Sequence, residues 1–134
     1  MRHEPMNKLK IKYKIWLETD KHDGLLGDGK CRLLKTISKT NSLKKAIKLH
    51  SLTYRKTWDN LQKIEESLGF QLIDRHRGGK DGGKSMLTPQ GQAILDAFEN
   101  FHRKHDQWIT QALDETLIEI EQQLGDPALT QITH

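Results

Sequence analysis

The chain has 134 residues, of which 34% are hydrophobic and 30% charged, so it suits one compact domain with a small core plus an appendage. It has no run of eighteen apolar residues and no apolar signal-peptide segment near its start, so the sequence predicts a cytoplasmic protein without a membrane span. Its single cysteine, Cys31, excludes a disulfide within the chain, and the neighbouring Leu33 and Leu34 favour a buried thiol over a nucleophile or ligand.

The net charge of +4 is divided unevenly along the chain. Residues 8–84 hold 19 Lys and Arg against 9 Asp and Glu, a charge of +10, whereas residues 85–134 hold 2 against 8, a charge of −6. The basic segment favours a nucleic acid as partner, although many globular proteins also carry lysine-rich faces that only meet water.

The basic segment begins with a strand pattern followed by two helix patterns. Residues 9–17 alternate Lys with apolar side chains, which predicts a strand whose lysines face water. Asp28 is expected to cap a helix that runs to about Thr40, and Ser42 a short helix that ends at about Leu49. The residues expected to face the core are Leu33, Leu34, Ile37, Leu43, Ala46 and Ile47. His50 and Ser51 lead from the second of these helices into a third, and two helices joined by such a tight turn are typical of a helix-turn-helix.

A third helix is predicted between Thr53, whose hydroxyl can cap it, and Gly69, which can end it in a left-handed conformation. Its apolar face is formed by Trp58, Leu61, Ile64 and Leu68, with Trp58 assigned to the core. Its first turn carries the candidate contacts to bases and phosphates, Thr53, Tyr54, Arg55 and Lys56, with Arg55 chosen for guanine. Tyr54 has an alternative role, because it lies one turn before Trp58 and can pack against it.

After this helix, residues 70–75 and 86–88 predict a short antiparallel hairpin whose connection, RHRGGKDGGK, is rich in glycine and cations. The residues assigned to phosphates or the minor groove are Arg75, Arg77, Gly78, Gly79, Lys80, Gly82, Gly83 and Lys84. Thr88 and Pro89 are expected to open the next helix. Such a connection alone indicates only a turn, but the order of helix, basic hairpin and helix predicts the second half of a winged helix-turn-helix.

From Pro89 a helical pattern continues to Leu124. Its apolar seam predicts dimerisation through Ile94, Phe98, Phe101, His105, Trp108 and Ala112. The alternative is a helix that folds back on its own domain after a break near residues 113–116. Residues 125–134 are expected to form a flexible tail.

Other functional classes have weaker support in the sequence. His102 and His105 lie three residues apart on the long helix, but no third ligand or cysteine pair accompanies them, so we assign no metal site. We find no catalytic arrangement and assign no enzyme activity or cofactor. A dimeric module that binds proteins, a ligand or a metal, and no longer binds DNA specifically, remains the alternative function.

Three segments resemble the amino-terminal DNA-binding domain of the molybdate-dependent transcriptional regulators, the ModE family. They are KIWLETDKHDGLLGDGKCRLLKTISKTNSLKKA, LTYRKTWDNLQKIEESLGFQLIDR and GGKDGGKSMLTPQGQAIL, within residues 14–95. The most specific pieces are the cluster Thr53, Tyr54, Arg55, Trp58 and the series Gly78, Gly79, Gly82, Gly83, Leu87, Thr88, Gly91. The resemblance implies a winged helix related to LysR-type regulators, which dimerises through flanking helices and binds a palindromic operator.

The chain also departs from that family. Asp81 and Lys84 stand where the family usually has glycine, and Lys44 and Lys45 where it has small residues. The family's molybdate-binding β-barrel domains have no counterpart in residues 125–134, so we expect no molybdate site in this chain.

The sequence therefore predicts a mainly α fold with a small β wing. We expect a winged helix-turn-helix domain over residues 1–88, a long dimerisation helix over 89–124 and a tail over 125–134. The expected partners are double-stranded DNA and a second copy of the chain, without a membrane.

Overall fold

A computed structural model describes residues 9–75 and 84–125. The elements it contains are strands β1 (Trp16–Leu17) and β2 (Leu26–Gly27), helices α1 (Asp28–Thr40), α2 (Leu43–Leu49) and α3 (Tyr54–Leu68), strands β3 (Ile73–Arg75) and β4 (Ser85–Leu87), and helix α4 (Pro89–Leu124). Within these residues the protein is mainly helical, with two small antiparallel strand pairs and a long last helix. It divides into two compact units, Lys14–Asn100 and a second unit of Met1–Tyr13 with Phe101–His134.

The strand predicted over residues 9–17 is wrong in its length. Only Trp16 and Leu17 pair with another strand, opposite Gly27 and Leu26. The alternation of the preceding residues is nevertheless visible in their burial, because Lys10, Lys12 and Lys14 are exposed whereas Ile11, Tyr13 and Ile15 are half-buried. Alternating burial therefore arose without the paired hydrogen bonds that define a sheet.

The core of Lys14–Asn100 is built mainly by α1, α2 and α3. Of the helix residues expected to face inward, most are buried: Leu33, Leu34, Ile37, Leu43, Ala46, Ile47, Leu61 and Ile64. Cys31 is buried beside them, as predicted. Trp58 and Leu68 are only partly buried and pack against the edge of this core.

Two of the three predicted side-chain caps in this region are wrong. Gly27, not Asp28, is the N-cap of α1, and the Asp28 carboxylate accepts a hydrogen bond from the Ile15 amide at 3.1 Å. Thr53 is the N-cap of α3, but its hydroxyl makes no capping hydrogen bond. The Ser42 hydroxyl does cap α2, accepting from the Lys45 amide at 3.0 Å.

The third helix ends and the hairpin begins as the sequence indicated. Gly69 follows α3 with φ of 82°, a left-handed conformation that glycine adopts without steric cost. Strands β3 and β4 pair antiparallel, with Ile73 opposite Leu87 and Arg75 opposite Ser85. Strand β3 is shorter than the strand predicted over residues 70–75, whereas β4 has the predicted length and lies one residue earlier than predicted.

The junction between the hairpin and α4 depends on Thr88 and Gly91. The Thr88 hydroxyl accepts from the Gly91 amide at 3.0 Å and donates to the Gln71 carbonyl at 2.6 Å, which confirms Thr88 as the cap. A Cβ on Gly91 would lie 2.2 Å from the Leu72 carbonyl oxygen, so only glycine allows this close contact with the β3 segment.

Helix α4 is continuous over 36 residues, about 54 Å at 1.5 Å per residue, so the alternative of a break near residues 113–116 is wrong. Its first turns belong to the first unit, where Leu95 and Phe98 are buried in the core and Ile94 packs against it. None of the helices in the described ranges is long and apolar enough to cross a membrane.

The second unit, within the described residues, consists of residues 9–13 and 101–125. The Tyr13 hydroxyl lies 3.1 Å from Nδ1 of His102, and their rings are 5.5 Å apart. An open groove of about 790 Å³ has Leu9, Ile11 and Leu117 among its lining residues. Of the residues described in this unit, Leu117 alone is buried.

Candidate nucleic-acid interface

The first turn of α3 presents polar side chains to solvent from a helix that is anchored by its other face. Thr53, Tyr54, Arg55 and Lys56 are all exposed, whereas Thr57, one residue later, is buried. Because Leu61 and Ile64 fix the helix in the core, the orientation of this turn is set by packing. It offers a guanidinium, an ammonium and two hydroxyl groups to a partner, which suits contacts to base edges and phosphates.

Tyr54 makes the packing contact with Trp58 that the sequence offered as one of its two roles, and it is also exposed to solvent. Its side chain is 53% exposed, and its ring stacks on Trp58 with centroids 6.0 Å apart and an interplanar angle of 16°. The two residues are one helical turn apart, which places them on the same side of α3. The stack restricts the phenol ring while its edge stays accessible.

Arg75, at the end of β3, also contacts Trp58. The carbon of its guanidinium lies 4.2 Å from the centre of the Trp58 ring, within the range of a cation–π interaction. Its Nη2 donates to Oε1 of Glu65 at 3.2 Å, and within the described residues its Nε has no acceptor. Arg75 was assigned to phosphates, and here its charge is already directed toward α3.

Glu65 is the residue of this site that the sequence analysis missed. Its carboxylate is buried, and Oε2 accepts from the amides of Leu72 at 2.7 Å and Ile73 at 3.3 Å. Hydrogen bonds to a charged group contribute about 1.5–3 kcal/mol each, so this side chain ties the start of β3 to α3. The sequence feature that could have identified Glu65 is the position of an acidic residue directly after Ile64, within the apolar stripe of the helix.

Most of the predicted hairpin contacts fall on residues that the structure does not describe. Those outside the described residues are Arg77, Gly78, Gly79, Lys80, Gly82 and Gly83. Lys84 is exposed at the start of β4, and Arg75 ends β3. In the described part of the hairpin Arg75 pairs with Ser85, the residue after Lys84, so the two ends of the predicted basic connection lie close together and the Arg75 end contacts α3.

The residues predicted for dimerisation are divided between the two units. Phe98 is 9% exposed and packs in the core of the first unit, with Ile94 against the same core, so these two side chains are already covered by their own chain. In the second unit, Phe101 and Ala112 are half-buried, and His105 and Trp108 are exposed. Trp108 is 69% exposed, which is unusual for so large an apolar side chain.

The histidines of α4 interact with neighbouring residues. Nδ1 of His102 lies 2.9 Å from Oδ1 of Asp106, and the ring of His105 packs on Phe101 at 4.8 Å. Residues 9–75 and 84–125 contain no group of three His, Cys, Asp or Glu side chains able to hold a metal ion.

Among curated proteins, the sequence is similar to transcriptional regulators over about half of its length. No family model matches the chain. It is 31% identical to the transcriptional regulator ModE of Haemophilus influenzae over 75 residues, which are 56% of this chain and 29% of that protein. It is 30% identical to the DNA-binding transcriptional dual regulator ModE of Escherichia coli over 67 residues, 50% of this chain and 26% of that protein.

Among solved structures, a hydrogen peroxide-bound OxyR variant from Corynebacterium glutamicum matches 63% of this chain and 26% of that chain. Its sequence identity is 23% and its TM-score 0.45. The resemblance to ModE regulators is thus confirmed over about half of the chain, which spans less than a third of the length of these curated relatives.

Proposed function

We propose that this chain is a sequence-specific DNA-binding transcriptional regulator that acts as a homodimer on a palindromic operator. The domain that binds DNA is a winged helix-turn-helix in which α2 and α3 form the helix-turn-helix. The hairpin of β3 and β4 forms the wing. Helix α3 enters the major groove, and the basic connection of residues 75–84 lies on phosphates or the minor groove.

The observation that carries the proposal is the exposed first turn of α3 on a helix otherwise fixed in the core. Arg55 and Lys56 extend into solvent there, and the Tyr54 and Trp58 stack joins that turn to Arg75 of β3. A rigid helix with free polar groups at its amino-terminal end is the arrangement by which helix-turn-helix proteins contact bases. The charge of +10 over residues 8–84 supports the same partner.

Dimerisation is supported by the second unit. The large apolar side chains of α4 that are exposed in this unit are Trp108, Ile120 and Leu124, and Leu117 alone is buried among the residues described there. A two-fold symmetric contact between two α4 helices through the predicted seam would bury Trp108 and would present two copies of α3 to one duplex.

The test begins with selection of bound duplexes from a random library by the purified protein, followed by binding of the selected duplex across a salt series. We expect enrichment of a two-fold symmetric site. Arg55→Ala should weaken binding to that site by about 1–3 kcal/mol and relax the preference at one position in each half-site. Arg103→Ala is the matched control, because it removes an exposed arginine from the acidic part of α4.

The hairpin is tested separately with Arg77→Ala and Lys80→Ala. Each should weaken binding to selected and unrelated duplexes alike and should reduce the salt slope by about 1. If the wild-type protein binds no duplex at low salt, the proposal is wrong, and a module that binds other proteins through α4 becomes the better interpretation.

A further inference from the structure

A small polar pocket on the first unit has cations in its wall and no assigned partner. It has a volume of about 150 Å³, which at roughly 30 Å³ per molecule is room for about five waters. Its walls come from the connection between β1 and β2, the first turn of α1 and the middle of α3. The lining residues are His22, Asp23, Gly24, Leu25, Lys30, Asn60, Lys63 and Ile64.

The pocket continues from the first turn of α3. Lys56, Asn60 and Lys63 are spaced at i, i+4 and i+7, so they form one row along that helix. Lys56 belongs to the turn proposed to contact DNA, while Asn60 and Lys63 line the pocket. One side of α3 therefore carries both a proposed major-groove contact, Lys56, and the pocket residues Asn60 and Lys63.

Lys30 lies in this pocket as a half-buried cation next to other cations. Burial lowers its pKa, and the charge of Lys56 lowers it further. In the described part of the chain, neither Lys30 nor Lys63 has a carboxylate oxygen within 4.0 Å, and Asp23, the acidic residue of the pocket wall, is exposed. A cation that is partly removed from water beside like charges is unfavourable until an anion reaches it.

We propose that Lys30 and Lys63, with His22 and Asn60 beside them, bind one phosphate group of the DNA backbone flanking the groove that α3 enters. This inference rests on the proposed function and adds to it a contact site outside α3's first turn and outside the basic hairpin. The ligand is a phosphate because the pocket offers two ammonium groups and an amide in a space suited to one tetrahedral anion. Such a contact fixes the orientation of α3 on the duplex and carries no sequence information.

The experiment measures binding of the full chain to the selected duplex and to an unrelated duplex of equal length, across a salt series. Lys30→Gln should weaken binding to both duplexes by about three- to tenfold and lower the salt slope by about 0.9. Lys30→Arg, which keeps the charge, should retain most of the wild-type slope. Circular dichroism checks that the variants remain folded.

Lys39→Gln is the matched control, because it removes one exposed lysine from the same helix about 14 Å further along its axis. If Lys30→Gln and Lys39→Gln change affinity and slope equally while the wild type binds, the phosphate site is wrong and the proposed function stands. If Lys30→Gln alone lowers the slope, the site is supported.

If the wild-type protein binds neither duplex, the proposed function fails and the pocket is judged with inorganic phosphate instead. Nuclear magnetic resonance would then follow the His22 ring and the Gly24 and Asn60 amides during titration. If phosphate changes these chemical shifts in the wild type but not in Lys30→Gln, the pocket is a phosphate site whose ligand is free phosphate or a phosphate group other than that of DNA. Unchanged resonances would overturn the site altogether.

Discussion

The two compact units use their apolar residues in different ways. Residues 14–100 bury Leu34, Ile37, Ala46 and Leu61 completely within a single core. In the second unit Leu117 is the one buried side chain among the described residues, and large apolar groups such as Trp108 remain exposed. The first unit therefore encloses its apolar residues in its own core, whereas the described part of the second leaves large apolar side chains exposed, which the proposed dimer would cover.

The largest difference between the units is expected in the reactivity of thiols. Cys31 is buried in the first unit, so it should react only when that core opens, about a thousandfold more slowly than an exposed thiol. The comparison is Thr110→Cys in a Cys31→Ala background, which places an exposed thiol in the second unit. Labelling by a thiol reagent near neutral pH measures the reaction rate of Cys31 in the wild type and that of the new cysteine in the variant. Equal rates would contradict a closed core.

The same thiol has a pH-dependent consequence for the first unit. Burial, followed by the charges of Asp28 and Glu99, raises its pKa from 9.0 to about 12. Because the folded pKa exceeds that of the unfolded thiol, the contribution to stability is complete below pH 9 and is lost as the pH rises toward 12. Between about pH 8 and about pH 10.5 the free energy of unfolding of the wild type should fall by up to about 2 kcal/mol more than that of Cys31→Ala. Urea unfolding at the two pH values measures this difference.

Gly91→Ala should lower the free energy of unfolding by about 3 kcal/mol, because its Cβ would collide with the backbone of the Leu72 carbonyl. The control is Gly29→Ala in α1, where the added Cβ meets only the end of the Arg32 side chain at 4.0 Å. That change should stabilise the protein by about 0.5–1 kcal/mol. Urea unfolding measures the free energy of unfolding of both variants. Similar values for Gly91→Ala and Gly29→Ala would show that the junction between the hairpin and α4 can shift to accept the added Cβ.

Glu65→Gln should lower the free energy of unfolding by about 2 kcal/mol, because it removes the charge of the carboxylate that accepts hydrogen bonds from two amides and from Arg75. The neighbouring Glu66→Gln, an exposed position, should change stability by less than about 0.5 kcal/mol. Hydrogen exchange at Leu72 and Ile73 is the sharper measurement. Unchanged exchange at these amides in Glu65→Gln would show that the carboxylate does not hold β3.

The smallest effect on folding is expected from Trp108→Ala. In dilute solution it should change the free energy of unfolding by less than about 0.5 kcal/mol, because the side chain is largely exposed. At higher concentration it should shift sedimentation toward the monomer, whereas Gln107→Ala, also exposed, should not. A large loss of stability in the dilute protein would place Trp108 in an intramolecular contact and would remove the contrast between the units.

Much of the fold was predictable because it depends on local patterns. Apolar residues at helical spacing identified α1, α2 and α3, and Gly69, Ser42 and Thr88 were correctly placed at helix ends. Interactions between residues close in sequence decide where a helix begins and ends, since a cap bonds to amides within the next turn and a left-handed glycine ends its own helix.

The errors occur where a side chain had a choice of distant partners. Asp28 accepts from Ile15 across the β1 and β2 junction instead of capping its own helix. The alternating residues before Trp16 found no neighbouring strand with which to pair. In both cases a local pattern permitted a structure that the tertiary arrangement did not use.

By itself the sequence determined the helical elements, the division of charge and the resemblance to ModE regulators, because each follows from residue types and their spacing. The tertiary structure decided that Glu65 holds the start of β3, that Arg75 lies against Trp58, and that Lys30 shares a pocket with Lys63. These contacts join residues from separate elements, and their distances are set by how the helices pack around the core, which no spacing along the chain specifies.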